Sequence, residues 1–195
     1  MRTFIIVGHK ATTAPKFSLN DLPGGAGRMD ILARCINASL FLSHDMRRDV
    51  DTYVVLLGDP NPPVTIRFNG EKLRYLSPDE RSAAALIKKA LEKGAPETGE
   101  EESTPGVYIS KRSFAQVVEG LEIIVYLHEN GKDIRQEPLS GNDAYVLSDH
   151  ENLTPEEEAV LEKKGAKKVS LGKKLYHADH CIVMVNHEID LRSEQ

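Results

Sequence analysis

The chain has 195 residues, 40% of them hydrophobic and 28% charged, with a formal net charge of −5 at neutral pH. That length sustains one core burying roughly 70% of the unfolded surface, and that charge excludes a generally basic nucleic-acid binder. The charge is uneven, because residues 1–94 carry 14 Lys and Arg against 10 Asp and Glu, a net of +4, whereas residues 95–195 carry 11 against 20, a net of −9. Either the charges merely solvate surfaces, or the first half meets an anionic ligand and the second holds a neutral or cationic one.

In chain order, "MRTFIIV" reads as a short apolar strand that meets charge and turn residues too early to be a leader peptide. A polar loop through "LPGGAG" leads to the helix "RMDILARCINASLFLS", apolar at Ile31, Leu32, Cys35, Ile36, Leu40 and Phe41. "DTYVVLLG" is a buried-type strand, "DPNPP" a rigid turn, and "VTIRFNGEKLRYL" is expected to form strands around an Asn-Gly turn. The segment "SPDERSAAALIKKALEKG" reads as a helix with Ser77 as N-cap, Pro78 first, Glu80 closing a capping box and Gly94 as the stop. "APETGEEESTPG", residues 95–106, lacks large apolar residues and is expected to be a mobile surface connection. Beyond it come the strand "VYIS", a helix around "SFAQVVEGL", the strands "EIIVYLHENG" and "AYVLSDH", the helix "TPEEEAVLEKKG", the strand "KKVSL" and a last helix from about Leu175. No apolar run is long enough to span a membrane, so a cytoplasmic protein with no membrane partner is expected. Cys35 and Cys181 are expected as reduced thiols.

This alternation predicts an α/β fold with a mostly parallel sheet and helices on both faces, whose ligands sit at the carboxyl ends of the strands. Three strands of the acidic half end in polar or small residues, at Leu127–Gly131, Ser148–His150 and Ser170–Gly172, and these form one rim if the strands are parallel. No dinucleotide fingerprint or Walker A loop follows any strand. Near the C-terminus His177, Asp179, His180, Cys181 and His187 crowd together. Three readings stand: a metal site, a Cys181–His180 nucleophile pair, or a helix with apolar Cys181, Ile182, Met184 and Val185 buried. The first lacks a Glu or a second Cys pair at metal-ligand spacing, and the second puts neighbours about 100° apart on a helix, so no metal is expected.

The stretches "DLPGGAGRMDILARCINASLFLSHDMRRDV", "LLGDPNPPVTIRF", "LSPDERSAAALIKKAL", "STPGVYI", "LSDH" and "SLGKKLYHADHCIVMVNHEID" resemble the archaeal tRNA pseudouridine-54 N1-methyltransferases of the SPOUT class. The similarity covers nearly the whole chain. It implies a single domain, residues 1–195, with a C-terminal trefoil knot, working as a homodimer on tRNA with S-adenosyl-L-methionine. Residues 1–94 are then the RNA-facing half and 107–195 the cofactor-binding knot half. By position the cofactor loops fall on Leu127, Ser148, Leu171, Gly172, Lys173, Lys174, Leu175, Tyr176 and Cys181. Members often carry Gly where this chain has Ser148, which implies a less close approach of backbone to ligand there.

RNA contacts are expected from Arg28, Arg47 and Arg48, whose guanidinium forks match phosphate oxygens, while Arg34 is expected to pair with Asp30. The competing role for Arg47 and Arg48 is pairing with Asp45 or Asp49. The implied chemistry is methyl transfer to N1 of pseudouridine, with Asp49 or, less strongly, Asp30 accepting or hydrogen-bonding the proton and His44 behind both; the competing and favoured role for each is a salt-bridge carboxylate or a surface histidine. A ribosomal pseudouridine substrate, a non-catalytic RNA- or cofactor-binding module, and a hydrolase using His177 and His180 on a metal are the alternatives.

Overall fold

A computed structural model describes residues 1–193. In chain order its elements are β1 (Arg2–Gly8), α1 (Met29–Leu40), β2 (Val50–Leu56), β3 (Val64–Asn69), α2 (Glu80–Lys93), β4 (Glu100–Thr104) and β5 (Val107–Ser110). They continue with α3 (Phe114–Glu119), β6 (Ile124–Asp133), β7 (Ala144–Ser148), α4 (Pro155–Lys163), β8 (Lys167–Ser170) and α5 (Ala178–Ser193). One sheet holds all eight strands in the order β4-β5-β3-β2-β1-β7-β6-β8. From β2 to β8 the pairing is parallel, as unbroken apolar runs require, and β3, β5 and β4 extend it antiparallel.

Alternate residues of β1 show that both faces are covered. Phe4 and Ile6 join the core under α1, α2 and α5, whereas Ile5 and Val7 join the one under α3 and α4. Capping boxes start α3, from Ser113 and Gln116, and α4, from Thr154 and Glu157 with Pro155 in its first turn.

Several expectations are corrected. "VTIRFNGEKLRYL" gives one strand, because after Asn69 the N–H groups of Lys72 and Leu73 turn back onto the Asn69 carbonyl and β5 supplies the antiparallel partner. The N-cap of α2 is Asp79, not Ser77: its carboxylate accepts the Ser82 N–H at 2.8 Å. The acidic connection is partly β4, folded onto β5 by a turn with Gly106 at φ 80° and held by Arg67 and Arg112 on Glu100. Acidic side chains suit an exposed edge strand. The last helix begins at Ala178 rather than Leu175. Both cysteines are free thiols.

The loop before α1 depends on Gly27, whose φ is 64° and whose missing Cβ would stand 1.8 Å from the Lys10 carbonyl oxygen. Gly27→Ala is therefore expected to cost about 2–4 kcal/mol of stability in denaturant unfolding, since both the backbone and the neighbour resist the new methyl.

Candidate cofactor and RNA site

The parallel strands bring their carboxyl ends to one edge of the sheet. Between Leu127 and Lys132 the pairing of β6 with β8 slips, and residues 128–131 bulge out of the ladder at that edge. Gly131 permits the bulge to lie against β8, as a Cβ there would meet the Val169 nitrogen at 2.4 Å. After β8, Ser170 Oγ donates to the Gly172 carbonyl at 3.1 Å and accepts its N–H at 3.2 Å, turning the chain toward Leu175.

These ends enclose a cleft of about 250 Å³. Of the residues expected to hold the cofactor, Leu127, Ser148, Leu171, Gly172, Lys174, Leu175, Tyr176 and Cys181 line it, and Lys173 does not. Tyr126, Asp149, Asn152, Val169 and Ala178 line it as well; Asp149 belongs to the expected rim, Tyr126 and Val169 adjoin it, and Asn152 and Ala178 come from the loop before α4 and the start of α5, which strand ends alone do not indicate. Apolar side chains such as Leu127, Leu171 and Leu175 mix with polar ones such as His128, Ser148, Asn152 and Lys174, a lining that suits a nucleoside-containing ligand. Leu175 is 79% exposed, a large apolar side chain without a protein partner to cover it.

The Cys181 thiol is pushed up to about 11 by burial and by the charge of Asp179, so it is protonated at neutral pH and no nucleophile. His180 packs edge-on against the His177 ring, 5.7 Å between centroids. Among the described residues no group of three or more His, Cys, Asp or Glu could hold a metal ion.

Beside the cleft, the first turns of α1 and α5 meet. Arg28 precedes α1 in the left-handed region, φ 66°, an uncommon conformation for a side-chain-bearing residue, and its guanidinium grips Asp30 with two bonds of 3.1 Å. Arg34 bonds the same carboxylate at 3.0 Å and approaches Asp179 of α5 at 3.7 Å. Burial would raise the Asp30 pKa, but Arg28 and Arg34 outweigh it and hold the carboxyl below its usual value, which makes Asp30 a poor proton acceptor. Asp179 Oδ1 is buried with no hydrogen-bond partner. Sequence spacing put Asp179 only among candidate metal ligands.

The other predicted residues lie elsewhere. Arg47, Arg48 and Asp49 immediately precede β2, and His44 the same turn, so all four sit at the amino edge of the parallel strands, opposite the cleft. Arg47 bonds Asp190 of α5 at 2.9 and 2.5 Å, neither Asp45 nor Asp49. Arg48 donates to the carbonyls of Gly70 and Leu73, approaches Asp45 at 3.9 Å as its competing role has it and, with Lys72 and Arg74, lines a wide bay of about 770 Å³. That bay is larger than the cleft, and charged side chains predominate in its lining, with Met46, Leu73 and Pro105 the apolar ones. The signal separating the two edges was available: residues before a parallel strand and after it cannot share a rim.

With this geometry known, comparison with other proteins is informative. Residues 1–193 match the family described as "Putative SAM-dependent RNA methyltransferase". A tRNA (pseudouridine(54)-N(1))-methyltransferase of Methanocella arvoryzae is 74% identical over 192 residues, covering 98% of this chain and 100% of the relative. The enzyme of the same name from Methanocorpusculum labreanum is 50% identical, with both chains covered completely. The crystal structure of Archaeoglobus fulgidus Nep1 bound to S-adenosylhomocysteine superposes with a TM-score of 0.72 at 18% identity, covering 99% of each chain, which shows a shared fold. The chain belongs to this family of S-adenosylmethionine-dependent RNA methyltransferases.

Proposed function

We propose that this protein transfers a methyl group from S-adenosyl-L-methionine to N1 of the pseudouridine at position 54 of tRNA. The observation that carries the reading is 74% identity, along essentially the whole chain, to a protein named for that reaction. The cofactor supplies a methyl group on a sulfonium centre. Leu127, Leu171 and Leu175 offer the apolar walls that exclude water from it. Holding donor and acceptor in line accounts for up to roughly 7–11 kcal/mol of such a barrier.

Asp49 and His44 belong to the edge away from the cleft, and Asp30 is held charged by two arginines. Asp179, with its unpartnered Oδ1, is the carboxylate we assign to the N1 proton. Asp179→Asn is expected to lower turnover by about 10²-fold or more while cofactor binding persists; single-turnover methylation beside a binding isotherm checks this, and unchanged turnover removes Asp179 from the role. Arg28, flanking the cleft and partly exposed, is the RNA contact nearest the chemistry, and Arg48 with Lys72 and Arg74 meets phosphates farther along the RNA.

We read residues 1–195 as one domain whose first 94 residues face RNA and whose residues 107–195 hold the cofactor and thread the knot. Val183, His187 and Leu191, four residues apart on α5, make an exposed stripe whose outer members are apolar, which supports a homodimer. Among the described residues no helix is long and apolar enough to cross a membrane; the cytoplasm is our assignment for an enzyme that acts on tRNA. Nucleoside mass spectrometry of tRNA from a deletion strain tests the reading: N1-methylpseudouridine disappears from tRNA, and its full retention contradicts the proposal.

A further inference from the structure

Behind the cleft lies a buried charged cluster that neither methyl transfer nor RNA binding has used. His9 follows β1 and sits between two carboxylates: its Nδ1 is 3.2 Å from Asp149 Oδ1, its Nε2 is 2.9 Å from Glu157 Oε2, and its backbone N–H donates to Asp149 Oδ2 at 3.0 Å. The imidazole is 10% exposed and Asp149 only 1%. A neutral imidazole has a single N–H, so only the imidazolium satisfies both carboxylates. The hydrogen bond to Asp149, opposed by burial and reinforced by Glu157, raises the His9 pKa to about 9. Each carboxylate also braces backbone, since Asp149 Oδ1 accepts the Glu151 N–H at 3.0 Å and Glu157 Oε2 accepts the Thr154 N–H at 2.8 Å. Asp149 and Asn152, on the segment so tied, line the cleft.

We propose that His9 is a positioning residue for the cofactor: as an imidazolium clamped between Asp149 and Glu157, it holds the Ser148–Asn152 wall of the cleft in its binding shape. This rests on assigning the cleft to S-adenosyl-L-methionine. Besides the two carboxylates, the charged or titratable groups around the clamp are Lys10 paired with Glu151, His150 at 3.4 Å from Asp149, Tyr126, whose phenol donates to Glu158 at 3.0 Å and faces the Glu157 charge, and Arg28 acting on Asp149 at longer range. The sign follows from the raised pKa: the clamp is complete below the ordinary histidine value of 6.5 and is lost as pH rises through about 9.

Calorimetric titration with S-adenosyl-L-methionine and its product thioether, from neutral to strongly alkaline pH, tests the clamp in the wild type, His9→Gln and Glu157→Gln. Wild-type affinity is expected to fall roughly tenfold across the His9 transition, the scale of a partly lost charge-assisted hydrogen bond. His9→Gln starts weak by the same factor and shows only the ligand's own amino titration, which all three proteins share. Saturating cofactor restores its turnover to near wild type, and a cooperative unfolding transition of the variant without cofactor separates this from a loss of fold. Glu157→Gln keeps an oxygen for Thr154 and moves the transition to lower pH. Equal affinity in wild type and His9→Gln across the series overturns the proposal, as does a transition unmoved in Glu157→Gln should His9→Gln fail to fold. Absence of wild-type binding at every pH overturns the cleft assignment itself, and this role with it.

Discussion

Leu175→Asp is expected to abolish the stabilisation of the protein by S-adenosyl-L-methionine while leaving the unliganded protein as stable as wild type. Binding to the folded state alone contributes about 2.7 kcal/mol at a hundredfold excess over Kd, which for a chain of this size raises Tm by roughly 5–10 °C. Leu175 is 79% exposed and lines the cleft, so a carboxylate there costs little until a ligand covers it. Once covered, the charge loses its water without gaining a partner. Thermal unfolding with and without cofactor reads both effects. A folded variant that shifts as far as wild type excludes Leu175 from the cofactor site.

Asp190→Ala is expected to be the most destabilising surface-level substitution, by about 2–4 kcal/mol. Asp190 is itself 37% exposed, but it is shared by Arg47 and by Arg2, whose side chains are 12% and 3% exposed. Its removal leaves two largely buried guanidinium groups at the seam between α5 and the sheet, with Asn186 the only other side-chain acceptor for Arg2 among the described residues. Partial solvent access to Asp190 keeps the loss below that of a fully buried pair. Burial raises the Asp190 pKa, and Arg47 followed by Arg2 overcomes this and holds it down. A depressed carboxylate contributes stability above its ordinary pKa and loses it as pH falls through the native value, so the difference between Asp190→Ala and wild type narrows in acid. Denaturant unfolding at neutral and acidic pH measures this. The same contacts divide two adjacent arginines: Arg47→Ala lowers stability and leaves the salt dependence of tRNA binding intact, whereas Arg48→Ala lowers the slope of log K against log salt by up to roughly 0.7–0.9 per lost phosphate contact.

Much of the architecture is legible in local pattern. The unbroken runs in β1, β2 and β7 announce parallel strands, and Thr154-Pro155 with Glu157 announces the start of α4. The cleft follows from the same strands, because residues just past their carboxyl ends share one edge. What pattern does not carry is the pairing of distant polar groups. His9 meets Asp149 across 140 residues and Arg47 meets Asp190 across 143, and nothing in either neighbourhood names the partner. The edge strand β4 is hard to read for a related reason: its side chains are acidic and largely exposed, and it is held by the backbone ladder to β5 with Arg67, Arg112 and Lys93 on its carboxylates, not by apolar burial. Asp49 precedes β2 and so lies at the edge opposite the cleft, a placement that its charge does not reveal.

The central claim is tested most directly by incubating the purified protein with methyl-labelled S-adenosyl-L-methionine and two tRNA transcripts, one carrying pseudouridine at position 54 and one carrying uridine there. Digestion and nucleoside mass spectrometry should find one labelled methyl group on the pseudouridine of the first transcript and none on the second. Equal labelling of both, or labelling of neither while ribosomal RNA is methylated, would contradict the account.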